Sequence, residues 1–178
     1  MKRVIWAVTL SAAALLIPAQ AFAQKVNVDF DPAAQFSSYK TYGWAQGTPS
    51  PNPLGEERIH AAVEERMAAK GFTKSDNPQV MIATHVVTKE EKEIISTGYG
   101  YGYGYYRYGG GMSTATVNTY IQGTLVLDMY DAAAKKLAWR GTATDTVSDK
   151  TDKNTKKVNS ALDKMMKQYP PPPPKNKP

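Results

Sequence analysis

The chain has 178 residues, of which 42% are hydrophobic and 21% are charged, and its formal net charge is +6. This length predicts one domain, alone or with tails. The sequence contains no cysteine, which excludes disulfide scaffolds, thiolate metal sites and thiol nucleophiles. It contains two histidines, which leave little scope for a histidine-based metal site or catalytic triad.

Residues 1–23 have the three-part layout of a secretory signal peptide. A short basic start precedes an apolar run at 4–17, and Ala21 and Ala23 are small residues suited to cleavage after Ala23. An uncleaved anchor is the weaker interpretation, because a membrane-spanning helix needs about 20 apolar residues. Gln24 stands where a lipobox would need a cysteine. We therefore expect a periplasmic protein without an acyl anchor or transmembrane span, and secretion beyond the periplasm stays open.

The first half of the mature chain predicts two strands and a helix. Apolar and polar residues alternate over 26–30, as in a half-buried strand, and the aromatic-rich segment 36–44 predicts a second strand. Asn52 and Pro53 supply a helix cap and a first-turn proline. Apolar side chains then recur at helical spacing, which predicts a helix over residues 53–70.

The second half predicts three more strands and a closing helix. Residues 79–87 are apolar on both faces, as in a central strand, and residues 88–95 continue it. Residues 114–130 predict a long strand, and residues 137–147 predict its partner after a turn. An apolar stripe at helical spacing over 158–169 predicts the last helix.

Together these elements predict an α+β domain over residues 24–169, in the order β-β-α-β-β-β-α. We expect a mainly antiparallel sheet with both helices packed on one of its faces. Within this domain, residues 98–111 would form a flexible Gly/Tyr-rich loop, and residues 170–178 would follow as a proline-rich basic tail.

Six blocks of the sequence resemble the bacterial envelope proteins of DUF family 4136, a domain of unknown function. They are VNVDFDP at 26–32, FSSYKTYGW at 36–44, NPL at 52–54, AKGF at 69–72, GTLVLD at 123–128 and LAWRG at 137–141. The resemblance covers nearly the whole mature chain and implies a shared fold and an envelope location. Many relatives carry the lipobox cysteine that this chain lacks, and the family implies no established activity and no catalytic residues.

Residues suited to catalysis or metal binding are few. His60 and Glu64 share a face of the first helix, but zinc takes three or four protein ligands. His85 lies in a strand, and the sequence nominates no nucleophile for it to activate. Four aspartates are expected to cap turns or solvate strand ends: Asp29, Asp31, Asp128 and Asp131. We therefore expect no enzymatic activity and no cofactor. The alternative is a hydrolase that acts on an envelope polymer and whose carboxylates are brought together by the fold.

The tract at residues 98–111 consists of seven glycines, six tyrosines and one arginine. Tyrosine rings could stack on sugars, contact a partner protein or lie at lipid headgroups. Glycine at every second position equally favours a flexible hairpin tip, and Gly-Tyr repeats favour self-association. The candidate binding residues of the tract are Tyr99, Tyr101, Tyr103, Tyr105, Tyr106, Arg107 and Tyr108.

The C-terminal end is the second unusual region, because residues 150–178 hold eight lysines against two aspartates. Lys153, Lys157 and Lys164 are candidate contacts for an anionic glycopolymer or lipid headgroups. The ordinary alternative is a solvated helix face. Nucleic acid is not an expected partner outside the cytoplasm. We therefore expect an exported, non-enzymatic protein that binds or scaffolds an envelope glycopolymer, lipid headgroups or an envelope protein, or that self-assembles.

Overall fold

The computed structural model describes residues 24–97 and 114–172, which form six strands and two helices. The elements in chain order are β1 (Lys25–Phe30), β2 (Thr41–Trp44), α1 (Pro53–Ala69), β3 (Thr73–Lys74), β4 (Val80–Thr97), β5 (Thr114–Asp131), β6 (Lys136–Thr146) and α2 (Thr151–Met166). All six strands belong to one sheet in the order β1-β6-β5-β4-β2-β3. The predicted α+β class is confirmed.

The sheet is mixed rather than purely antiparallel. β1, β6, β5 and β4 pair antiparallel in that order, whereas β2 pairs parallel with both β4 and β3. Parallel neighbours need a long crossover connection, and α1 supplies one between β2 and β4. The observed order is β-β-α-β-β-β-β-α, because the two-residue strand β3 is too short to show an alternating pattern in the sequence.

The second strand is shorter than its aromatic content predicts. β2 begins at Thr41, and Phe36 lies in the turn before it. The Phe36 ring packs edge-on against Phe30, Tyr39 and Tyr169, with centroids 5.8 to 6.1 Å apart. Its apolar character therefore reflects contacts with other aromatic rings rather than a place in the sheet.

Both helices pack on the same face of the sheet, as predicted. The shared core contains residues of α1 and α2 together with alternate residues of β4, β5 and β6. Its fully buried members include Val63, Met67, Val80, Ile82, Leu127, Met129, Trp139, Leu162 and Met165. Leu137 is exposed rather than part of this core, because a bulge between Met129 and Tyr130 shifts the register of β6.

The first helix begins and ends where its sequence signals place it. The Asn52 side chain accepts a hydrogen bond from the Gly55 amide, and Pro53 occupies the first helical position. At the other end, Gly71 has a φ of +81°, and the Phe72 amide donates to the Met67 carbonyl. This is the Schellman arrangement; it explains why α1 stops within one residue of the predicted end.

Three sequence predictions fall outside the described residues: the leader at 1–23, the tract at 98–111 and most of the tail at 170–178. Among the helices that the structure describes, none combines the length and the apolar character needed to cross a bilayer.

Candidate functional site

The predicted contact residues are distributed unequally over the molecule. Lys153 lies exposed on the first turn of α2. Lys157 is bound within the fold, because its Nζ lies 2.8 Å from Asp145 Oδ1 and 2.6 Å from the Thr146 carbonyl. Lys164 donates to the Gln24 side chain at 3.0 Å. Two of the three candidate lysines therefore have partners in the protein itself.

The sequence tract 98–111 connects the two longest strands, β4 and β5. These strands pair continuously from Val80–Asp131 to Thr97–Thr114. β6 stops opposite Gln122, so the outer eight pairs, residues 90–97 with 114–121, have no third strand among the described residues. We call this two-stranded segment the arm. At about 3.4 Å per residue it is about 27 Å long.

The arm carries apolar side chains in contact with solvent. Ile94 and Val117 lie directly opposite each other, with 69% and 56% of their surfaces exposed. Ile95 and Ile121 are exposed as well. A two-stranded ribbon is marginally stable in water without further packing, and an edge strand offers unpaired backbone groups to another chain. Exposed apolar side chains and an open strand edge are typical of interaction surfaces.

A separate concave site lies on the helix side of the sheet. The N-terminal ends of α1 and α2 stand apart there and leave a cleft of about 410 Å³, which we call the helix cleft. Apolar atoms make up most of its surface. Its floor includes buried residues of β5 and β6, and its walls come from both helices: Ile59, Val86, Leu125, Ala143, Val158 and Ala161.

The charged groups at the helix cleft are predominantly basic. Arg58 and Lys157 line it, and Asp145, the one acid among the described lining residues, pairs with Lys157. The hydrolase alternative predicts at least two neighbouring acids in a concave pocket. Within the described residues, the helix cleft does not supply that pair.

On the opposite face of the sheet, Asp128 is fully buried rather than placed at a strand end or turn as expected. Its two carboxylate oxygens accept hydrogen bonds from Arg140 Nε and Nη2 at 2.7 and 2.6 Å, and Tyr130 donates at 3.1 Å. The Asp128 carboxylate raises the pKa of the Arg140 guanidinium above its ordinary value. His85 Nε2 lies 3.5 Å from the same carboxylate, while its Nδ1 accepts from the Thr48 amide.

His60 and Glu64, which share a face of α1, both contact Trp44 but have different charged partners. His60 Nε2 lies 2.9 Å from Glu56, and its ring stacks on Trp44 with centroids 4.2 Å apart. Glu64 instead accepts from Trp44 and Lys74, and the Trp44 indole is the main reason that its pKa is lowered. Among the described residues, no three metal-ligating side chains come together.

Neither the helix cleft nor the Asp128 cluster was recognised in the sequence. Three separate strands and both helices contribute to these two places, so no local spacing marks them. For Asp128, the one available signal was an acid inside a strand with Arg140 in the strand that follows across a short turn.

Comparison with known proteins identifies a family and a fold. A family model described as "Domain of unknown function (DUF4136)" matches residues 26–171. No curated protein sequence matches the chain. A PDZ domain protein from Parabacteroides distasonis ATCC 8503 is similar in structure, with a TM-score of 0.54 and 17% identity over 84% of this chain and 35% of that one. This chain thus spans about a third of that protein's length, and at this identity the likeness shows the fold alone.

Two weaker structural likenesses have TM-scores below 0.5. They are a PelC dodecamer from Paraburkholderia phytofirmans (0.47, 12% identity, 81% of this chain and 99% of that one) and a putative neuraminyllactose-binding hemagglutinin homolog from Helicobacter pylori (0.39, 12% identity, 74% and 86%). At these scores neither bears on function.

Proposed function

The chain belongs to the DUF4136 family, and we propose that it is an exported, non-enzymatic envelope protein that binds or scaffolds an envelope component. The observation that carries this proposal is the arm. It presents exposed apolar side chains and edges that no other strand of the described residues covers, and its ends at Thr97 and Thr114 lead directly into the tyrosine-rich tract.

The proposed export is compatible with the position of the first described strand. β1 starts at Lys25, two residues after the expected cleavage site at Ala23. Removal of the leader would therefore leave every strand of the sheet intact.

Tyrosine is suited to the proposed contact because its ring is apolar and its hydroxyl is a hydrogen-bond donor and acceptor. Six such rings beside Arg107 suit a surface that offers both flat apolar patches and hydroxyl or anionic groups. Envelope glycopolymers and the headgroup layer of the outer membrane both have that chemistry.

Sedimentation with isolated cell-wall and outer-membrane fractions tests this function. The purified chain should pellet with one of the two fractions, which would identify the envelope component. A variant in which Asn-Gly replaces residues 98–113 should stay in the supernatant. Asn-Gly is the preferred two-residue hairpin turn, and it can close a ladder whose last pair is Thr97–Thr114.

A second variant separates the tyrosines from the length of the tract. Replacement of its six tyrosines by serine should abolish pelleting, whereas Tyr120→Ser, which removes one tyrosine from the described part of the arm, should not. If the native chain stays soluble with both fractions, or if the Asn-Gly variant pellets as the native chain does, the proposal is wrong.

Self-association is a second candidate function, and the charge order of the arm favours it. Two copies of β4, paired antiparallel along their free edges with Glu91 at the centre, would place Lys89 opposite Glu93 and Glu90 opposite Lys92 in both directions. Opposite charges across strands contribute roughly 0.2 to 1 kcal/mol per pair. The two central Glu91 side chains would face each other, a like-charge pair that opposes the four attractive ones. In the single chain Glu91 pairs with Lys89 at 2.8 Å, and this ion pair would open for Lys89 to reach Glu93 of the other copy.

A charge exchange tests this second function. The double variants Lys89→Glu/Lys92→Glu and Glu90→Lys/Glu93→Lys should each be monomeric in analytical ultracentrifugation, and their mixture should form a heterodimer. A native chain that stays monomeric at all accessible concentrations would reject this candidate and leave envelope binding untouched.

A further inference from the structure

We propose that the helix cleft binds a single-chain anionic amphiphile of the fatty-acid type. Its hydrocarbon chain would lie on the apolar floor, and its acidic headgroup would lie at the rim beside Arg58. This inference goes beyond the proposed envelope contact, because it concerns the helix side of the sheet and shares with the arm only Ile121, which lies where the arm meets the cleft.

The shape of the helix cleft suits one hydrocarbon chain. At their C-terminal ends the two helices are joined, because Arg66 Nη2 lies 3.1 Å from Asp163 Oδ1 and the buried Met67 and Met165 fill the space above the sheet. At their N-terminal ends the cleft opens. Its volume of about 410 Å³ falls in the range of small-molecule sites, roughly 300 to 1,000 Å³.

The floor offers contacts for methylene groups and few for polar ones. Leu125 and Ala143 are buried beneath it, and Val86 and Val158 are partly buried beside it. Burying apolar ligand surface against such a floor stabilises the complex, and this gain is opposed by the cost of ordering the ligand. Because apolar atoms make up most of the lining surface, a ligand that is polar along its length would recover only part of the hydration it loses there.

The rim of the helix cleft complements a negative charge. Arg58 is exposed, and no carboxylate of the described residues lies within 4 Å of its guanidinium. Lys157 neutralises Asp145. In addition, the N-cap residue of α2, Lys150, makes no side-chain capping hydrogen bond, and Thr151, the first helical residue, lines the cleft. The positive end of this helix dipole therefore adds to the positive electrostatic potential at the rim.

Titration calorimetry of the purified chain with laurate, below its critical micelle concentration, tests the inference. Dodecyl maltoside, which has the same chain length and an uncharged headgroup, serves as the comparison ligand. We expect one laurate per chain and markedly weaker binding of dodecyl maltoside. Arg58→Gln should weaken laurate binding about tenfold, as loss of a charge-assisted hydrogen bond does, and should leave dodecyl maltoside unchanged.

Two variants fill the helix cleft independently. Val158→Trp places an indole ring in the cleft from the wall that α2 forms, and Thr155→Trp does so from the half-buried rim. Each variant should abolish laurate binding. Gln168→Trp, on an exposed position of the same segment outside the cleft, is the matched control and should bind as the native chain does. Thermal unfolding of all three variants shows whether each is folded.

Several outcomes would overturn the inference. Native laurate affinity in a folded Val158→Trp or Thr155→Trp variant would place the ligand elsewhere. Equal affinity for laurate and dodecyl maltoside, together with no effect of Arg58→Gln, would reject the anionic headgroup. The Asn-Gly replacement of residues 98–113 should retain laurate binding, so failure of the proposed envelope contact and failure of this inference can be told apart.

Discussion

Among single residues, Asp128 is a completely buried carboxylate. The side chain has no exposed surface, although it lies on the face of the sheet that carries no helix. The guanidinium of Arg140 donates a hydrogen bond to each oxygen of the Asp128 carboxylate. The Arg140 side chain itself remains 45% exposed to solvent. A buried carboxylate of this kind depends on its partner, because desolvation penalises an unpaired charge heavily.

Removal of the partner should therefore destabilise the fold. We expect Arg140→Met to lower the free energy of unfolding by about 3 kcal/mol, as when one member of a buried ion pair is lost. Arg140→Lys keeps the charge but not the two-pronged geometry, and should cost about 1 kcal/mol. Urea unfolding monitored by tryptophan fluorescence measures both; an Arg140→Met variant as stable as the native chain would contradict this account.

Tyr39 and Asp131 form a second coupled pair. The Tyr39 hydroxyl donates to Asp131 Oδ2 at 2.7 Å. Burial, followed by this hydrogen bond, raises the pKa of Tyr39 from 10.0 to about 12. The Ala134 amide and then the Tyr39 hydroxyl lower the pKa of Asp131 below its ordinary 3.8.

These shifts give the pair a defined dependence on pH. The contribution of Tyr39 is complete below pH 10 and is lost as the pH rises towards 12, whereas that of Asp131 is complete above about pH 3.8 and is lost as the pH falls further. Tyr39→Phe should cost about 1 kcal/mol at pH 7, and its deficit relative to the native chain should shrink between pH 10 and 12. Urea midpoints across that interval measure the difference; a constant deficit would contradict it.

Among the elements, β4 and β5 each combine two environments in one continuous strand. Their inner halves lie between other strands and contribute Val80, Ile82, Leu127 and Met129 to the core. Their outer halves have no third strand among the described residues, and the Val147 amide donates to the Ile121 carbonyl at the inner end of the arm. The same backbone ladder therefore passes from a packed interior to a solvated ribbon at about Gln122, where β6 ends.

Hydrogen exchange should reveal this change along the strands. In the free protein, amides of residues 80–86 and 125–131 should exchange slowly, and those of residues 90–97 and 114–121 should exchange faster by orders of magnitude, because local opening of the arm exposes little buried surface. The inner halves act as the internal control. Binding of the envelope fraction, or self-association, should protect the arm selectively; equal protection of both halves in the free chain would contradict the prediction.

For the whole molecule, export and folding should be separable. Intact mass and N-terminal peptide analysis of the exported chain should show a new N-terminus at Gln24. A full-length chain that keeps residues 1–23 should unfold with the same urea midpoint as the cleaved chain, because Lys25 begins the sheet. A chain recovered with its first residues intact would contradict the proposed export.

Much of the local structure could be predicted because its signals are local. Helix α1 is bounded by Asn52 and Pro53 at one end and by Gly71 at the other, and each acts on its own turn. The long strands β4 and β5 follow from alternation and β-propensity within their own segments. The same holds for the tyrosine tract, since composition alone distinguishes it from the rest of the chain.

Neighbour relations could not be predicted in this way. The parallel place of β2 beside β4, the two-residue strand β3 and the burial of Asp128 under Arg140 depend on which segments meet in space. The helix cleft is the clearest case, because Gln24, the start of α1, three strands and α2 all line it. Periodicity and capping act over a few residues and fix each element, whereas tertiary packing sets the gap between two helices and the pairing of a buried charge.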